Sequence, residues 1–258
     1  MIQFLAWCDA QQSHVSGHSL TVLRGRTADL AIGRDAIAAL VPGHYASDEH
    51  IARVLEKLGR KAAADFVRQK LPTSKTMRSG DLGEILATEY IAEQTDYSVP
   101  IKRLRWKDHR NMAMRGDDVI GIAQDATTGR LRFLKAESKS RANLLASVVG
   151  LARTGLDKDN GMPSAHALSF ISERLLELGD SALADAIDDV QLKSGIGPQS
   201  VKHLLFTFSG NSAAELLSAA LATYSGEISQ LSVGLRVESH GDFVGEVYDS
   251  VMESADLN

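Results

Sequence analysis

Asp118, Glu137 and Lys139 are the residues of this chain whose types and spacing best match a chemical task. A turn centred between Thr127 and Thr128 would pair the positions of an antiparallel hairpin whose numbers sum to 255, setting Asp118 opposite Glu137. Side chains alternate with period two along a strand, so Lys139 falls on the same side as Glu137. Asp117 points the other way unless the strand is bulged, and the sequence leaves open which of the two adjacent aspartates serves. Two carboxylates about 5 Å apart repel by about 3 kcal/mol at an effective dielectric near 20, a cost that a divalent cation converts into binding. Mg²⁺ prefers few carboxylates, water and phosphate oxygen, which describes phosphodiester hydrolysis better than a closed structural cage. The cation would polarise the phosphoryl group and generate hydroxide, with Lys139 orienting that water or meeting the developing negative charge. The alternative is that Glu137 and Lys139 form a solvated ion pair on an edge strand, worth at most about 1 kcal/mol.

The elements that must hold these residues follow from periodicity. Asp48 to Lys70 carries a helical stripe of Ile51, Val54, Leu55, Leu58, Ala62, Phe66 and Val67, ended by Leu71-Pro72. A second helix follows the polar stretch Thr73 to Gly80, with Leu82, Ile85, Leu86, Tyr90 and Ile91 inward. Strands are expected at 97–106, 118–124 and 131–139, the last two joined by turn residues including Gly129. A helix at 143–153 closes this set. Further helices are expected at 164–178, 181–192 and 213–224, and strands at 201–208 and 231–237. The fold class is therefore mixed α/β, or α+β, in three stretches. These are a mainly helical region at 1–78, a core at 79–153, and an acidic α/β part at 154–258 packed with that core as one unit.

Composition narrows the classes. With 44% hydrophobic and 24% charged residues the chain reads as globular, and no apolar run reaches the length of a membrane span. A single cysteine, Cys8, permits no internal disulfide and no cysteine-built zinc cluster, so a reducing, cytoplasmic setting is expected. The net charge of −5 is divided unevenly: residues 1–150 hold 22 Lys and Arg against 17 Asp and Glu, whereas 151–258 hold 6 against 16, giving +5 and −10. Within the first part, Lys102, Arg103, Arg105, Lys107, Arg110 and Arg115 form a basic stretch that could position DNA phosphates, or could simply guard a solvated edge strand.

The residues resemble a known family at this point. Arg115-Gly116-Asp117-Asp118 before an apolar strand, then Lys135-Ala136-Glu137-Ser138-Lys139 on the next, is similar to the PD-(D/E)XK nuclease core over residues 79–153. The resemblance implies a helix, a three-stranded meander and a second helix, with metal-binding acids and a catalytic lysine on the last two strands. It also implies a glutamate on the first helix, matched here by Glu84, although Asp81-x-x-Glu84 equally fits a capping box at a helix start. A Gly-Asp-Asp stands where a Pro-Asp is usual. The wider arrangement, with Ser79-Gly80-Asp81-Leu82-Gly83-Glu84 and the acidic remainder containing His203 to Phe208, resembles the HamA family, nuclease subunits of the Hachiman antiphage-defence system. That resemblance implies DNA as substrate and a helicase partner, HamB, while the cofactor expected from the paired acids is Mg²⁺ or Mn²⁺.

The rival is a non-catalytic scaffold or regulator of a DNA helicase built on the same fold. Gly195-Ile196-Gly197 also resembles the turn of a helix-hairpin-helix DNA module, but Val201 to Phe208 alternates as a strand does. The eight histidines show no paired metal spacing, and no Gly-x-Ser-x-Gly supports a serine nucleophile.

Overall fold

The computed structural model describes residues 1–257. Six strands form one mixed sheet: β1 (Cys8–Val15), β2 (His18–Gly25), β3 (Val119–Gln124), β4 (Leu131–Arg141), β5 (Val201–Ser209) and β6 (Ser229–Arg236), in the order β1-β2-β6-β5-β4-β3. The four central strands are mutually parallel, and each outer strand, β1 and β3, pairs antiparallel with its neighbour. Helices cover both faces, as parallel strands require. One face carries α1 (Phe4–Trp7), α2 (Leu30–Tyr45), α5 (Lys75–Gln94) and α10 (His240–Leu257), with α3 (Asp48–Leu58) and α4 (Arg60–Lys70) outside them. The other carries α6 (Ala146–Asp157), α7 (Ala165–Glu177), α8 (Ser181–Asp189) and α9 (Ala214–Ala222).

Alternation along the site-bearing strands shows the layering. Val119, Leu134 and Ala136 enter the core beneath α5, whereas Ile120, Ile122 and Phe133 enter the core beneath α7 and α8. Val119 lies opposite Ala136 and Gln124 opposite Leu131, the register expected from the turn. Asp125 fixes that turn by accepting the backbone N–H of Thr127 (3.1 Å) and Thr128 (2.7 Å), while Gly129 adopts φ +69°.

Three expectations change. The helix from 48 to 70 is two helices, because Gly59 at φ +82° breaks it. The expected strand at 97–106 is one bridge, Ser98 to Ile122, so the meander is reduced to two strands and this contact. Pro100 lacks the N–H a further rung would need, and the chain turns into a 3₁₀ segment, Arg103–Trp106. The first region contains a hairpin besides its helices: β1 and β2 join through Ser16 and Gly17, both at positive φ, and β2 pairs parallel with β6. The segment around Gly195-Ile196-Gly197 feeds β5 through a 3₁₀ turn, so no second helix completes a helix-hairpin-helix unit. No helix among the described residues is long and apolar enough to cross a membrane.

Candidate active site

Helix α5 starts at Ser74, whose hydroxyl accepts the Met77 N–H, so Asp81 is an interior residue and not the cap that the Asp81-x-x-Glu84 spacing allowed. Gly83 lets α5 lie close against β4; a Cβ there would stand 3.0 Å from Ser138 Oγ and from Ser140 Cβ. Glu84 follows it, on the margin of the sheet where β3 begins. Asp118 stands one residue before β3 and accepts the Ser138 backbone N–H at 2.9 Å through Oδ2. Its side chain thus completes the ladder where a backbone carbonyl would otherwise do so. Glu137 takes an ion pair from Lys139. Behind it, Gly155 on α6 is so close that a Cβ there would meet the Glu137 carboxyl carbon at 2.8 Å.

Arg103 ties this centre together from an unexpected direction. Its guanidinium is only 13% exposed and donates to Glu84 Oε1 at 2.8 Å and Oε2 at 3.3 Å, while Nη2 lies 3.6 Å from Asp118 Oδ1. Nη1 donates to the carbonyls of Asp117 (2.5 Å) and Arg115 (3.3 Å), fastening the approach to β3. Burial works against the Arg103 charge, but Glu84, then Asp118 and Asp117, outweigh it and raise its pKa. Burial pushes Glu84 up to about 7; Arg103 opposes this, and the charges of Asp118 and Asp81 add to it. Glu137 is also raised, by burial and then by the Asp118 charge, against the pull of Lys139. The structure therefore gathers Asp118, Glu137, Lys139 and Glu84 at one end of the β3–β4 pair.

Asp117 is sorted from Asp118 by its partners. It accepts the Ser164 N–H at 2.8 Å, just before α7, and lies 3.4 Å from the buried ammonium of Lys135. Lys135 also donates to the carbonyls of Lys158 and Met162, so this pair anchors the loop between α6 and α7. The six basic residues do not form an exposed stripe. Lys102 pairs with Glu89 at 3.0 Å, Arg103 with the acids, and Lys107 with buried Asp81 at 2.7 Å; Arg105 and Arg110 donate to the carbonyls of Gly43 and Arg68. Arg115 is exposed. The basic run alone could not reveal this, because the partners lie far away in sequence. Sequence reasoning gave no role to the Ser138 N–H and left Gly155 beyond the helix expected at 143–153, whereas the structure places it inside α6.

The donors suit a hard divalent cation. Asp118 lies near enough to Glu137 for its charge to raise the cost of ionising that carboxyl, and an amine stands beside Glu137. Among the described residues no group of three or more His, Cys, Asp or Glu side chains is placed to hold a metal ion, so the donors brought together here are the pair Asp118 and Glu137.

These features define a three-layer α/β protein with a carboxylate–lysine centre at the margin of its sheet. The chain belongs to the HamA family, whose model matches residues 2–251. It is similar to the Hachiman protein HamA of Bacillus cereus, 24% identical over 245 residues, which span 93% of this chain and 86% of that relative.

Proposed function

We propose that this chain is an effector of Hachiman antiphage defence, acting as a metal-dependent DNA endonuclease that hydrolyses phosphodiester bonds alongside a helicase subunit resembling HamB. Family membership supports the defence role. The observation that carries the chemistry is the register of β3 and β4, whose Val119–Ala136 pair leaves Asp118 next to Glu137, with Lys139 paired to the latter. Asp118 and Glu137 would hold Mg²⁺ or Mn²⁺, with Glu84 completing the set. Bound there, the cation supplies Lewis-acid polarisation of a phosphoryl oxygen and lowers the pKa of water. Asp118 is oriented by the Ser138 N–H, the backbone of Gly155 lies close behind the Glu137 carboxyl, and Lys139, paired with Glu137, would set its amine where phosphate charge develops. Arg115, exposed beside Asp117, is the member of the basic stretch free to meet a phosphate.

Linear and supercoiled DNA incubated with the chain, with and without its co-purifying helicase, should be cut with Mg²⁺ and spared with EDTA. Glu137→Ala with Lys139→Ala should remove the cutting while leaving the fold and any helicase association intact; undiminished cutting would sink the assignment. A second reading, a non-catalytic scaffold for the helicase, is favoured by the engagement of Glu84 and Asp118 with Arg103. It predicts no Mg²⁺ or Mn²⁺ binding even with DNA present.

A further inference from the structure

Resting on the metal-dependent reading, we infer that Arg103 occupies the cation position of the acidic centre, so that Arg103 and a divalent ion compete for Glu84 and Asp118. Four observations carry this. Arg103 is the group that contacts both acids, with two nitrogens on the Glu84 carboxylate and a third contact to Asp118. It is mostly shielded from water, so its charge acts on the acids with little screening. Charge count favours exchange: with all three carboxyls ionised, Glu84, Asp118 and Glu137 against Arg103 and Lys139 leave one negative charge, and withdrawal of Arg103 leaves two, the number a divalent ion neutralises. Finally, Arg103 begins a short 3₁₀ segment on the irregular stretch between α5 and β3, where a side chain can be withdrawn without unravelling a long helix or strand.

The same guanidinium holds the carbonyls of Arg115 and Asp117, so leaving the acids also releases the residues that lead into Asp118. Metal entry is thereby coupled to loosening of the 115–118 segment. The ion has to bind the Arg103-withdrawn arrangement, and its apparent affinity is reduced by the fraction of molecules in which Arg103 stays home. Arg103 is a positioning residue in this account.

Isothermal titration of Mn²⁺ tests it on the full chain. Arg103→Met, checked for fold by circular dichroism, should bind Mn²⁺ roughly tenfold tighter than the unaltered chain. Adding Glu137→Ala to that variant should abolish the binding. If Arg103→Met is folded and binds Mn²⁺ no more tightly than the unaltered chain, Arg103 is a scaffold for the acids and the competition is refuted. No binding by either protein would remove the metal-dependent reading itself, a result distinguishable from the first. Should Arg103→Met not fold, Arg103→Lys carries the same test, since its shorter reach weakens the hold on both acids: tighter Mn²⁺ binding supports competition and equal or weaker binding overturns it. A second readout uses Trp106, on the same 3₁₀ segment and edge-on to Phe170 at 6.0 Å. Saturating Mn²⁺ should alter Trp106 emission in the unaltered chain, with Trp7→Phe removing the other indole; an unchanged spectrum at saturation would count against withdrawal.

Discussion

Asp81 and Glu84 lie one turn apart on α5, both meet cations from the segment that follows the helix, and they lead different lives. Asp81 takes the Lys107 ammonium on both oxygens, at 2.9 and 2.7 Å, and the Tyr45 hydroxyl at 2.7 Å, with Tyr248 closing the network. One carboxylate meets one ammonium and the charges cancel. Glu84 and its neighbours bring three carboxylates against two cations, at the sheet margin, with Asp118 still 24% exposed. Residue type does not separate a structural ion pair from a candidate reactive one here; the separation lies in whether the local charges balance and whether water and substrate can reach them.

The comparison breaks first under loss of a buried partner. Lys107→Met should cost about 3–5 kcal/mol in urea unfolding, because Asp81 is left uncompensated in the core. Asp118→Asn should leave stability nearly unchanged, yet under the proposed function cutting should fall about 100-fold or more, since a carboxylate proposed to hold the metal is gone. If Asp118→Asn destabilised the fold as much as Lys107→Met, the contrast between the two centres would fail.

A finer contrast separates the adjacent aspartates. Asp117→Asn should cost about 1–3 kcal/mol through Lys135 and the Ser164 N–H, with cutting retained in the folded fraction. Gly155→Ala should cost about 1–3 kcal/mol as its methyl pushes on the Glu137 carboxylate, and it should weaken Mn²⁺ binding in titration.

The smallest effect is in pH, and α5 again provides the pair. Burial alone would raise Glu89, but the hydrogen bond from His44 and the Lys102 charge outweigh it and hold the pKa at about 2. Its stabilising contribution is present above the ordinary value of 4.5 and is lost as pH falls towards 2. Glu84, raised to about 7, has the opposite sign: its contribution is present below 4.5 and lost as pH rises through 7. Glu89→Gln should flatten the acid limb of stability against pH, whereas Glu84→Gln should gain on the unaltered chain between pH 4.5 and 7. Equal slopes for the two variants in urea unfolding at stepped pH would contradict both assignments.

The β3–β4 register was legible because local chemistry decides it: Asp125, Thr127, Thr128 and Gly129 specify the turn, and alternation does the rest. The sheet's far side was not. β1 is polar and exposed along most of its length, so it carries no apolar alternation, and the Ser16-Gly17 turn was its main signal. Glu84 could be placed on a helix, but Arg103 could not be placed in the centre. A basic run reads alike whether it faces phosphate or reaches 19 residues back to an acid. The stretch 97–106 read as a strand in spite of Pro100, because Tyr97, Ile101 and Leu104 around it are apolar and their burial satisfies either conformation.

The pairing of β2 with β6 sets an order of events during synthesis. Ser19 aligns with Leu231, so the β1–β2 hairpin has no place in the sheet until β6, far along the chain, has been made. An isolated hairpin is marginal in water, and non-local parallel pairing is slow. The nascent chain therefore holds that hairpin unpaired while β3, β4 and β5 are made, and the sheet that carries the acids and lysine is joined to it only when β6 arrives.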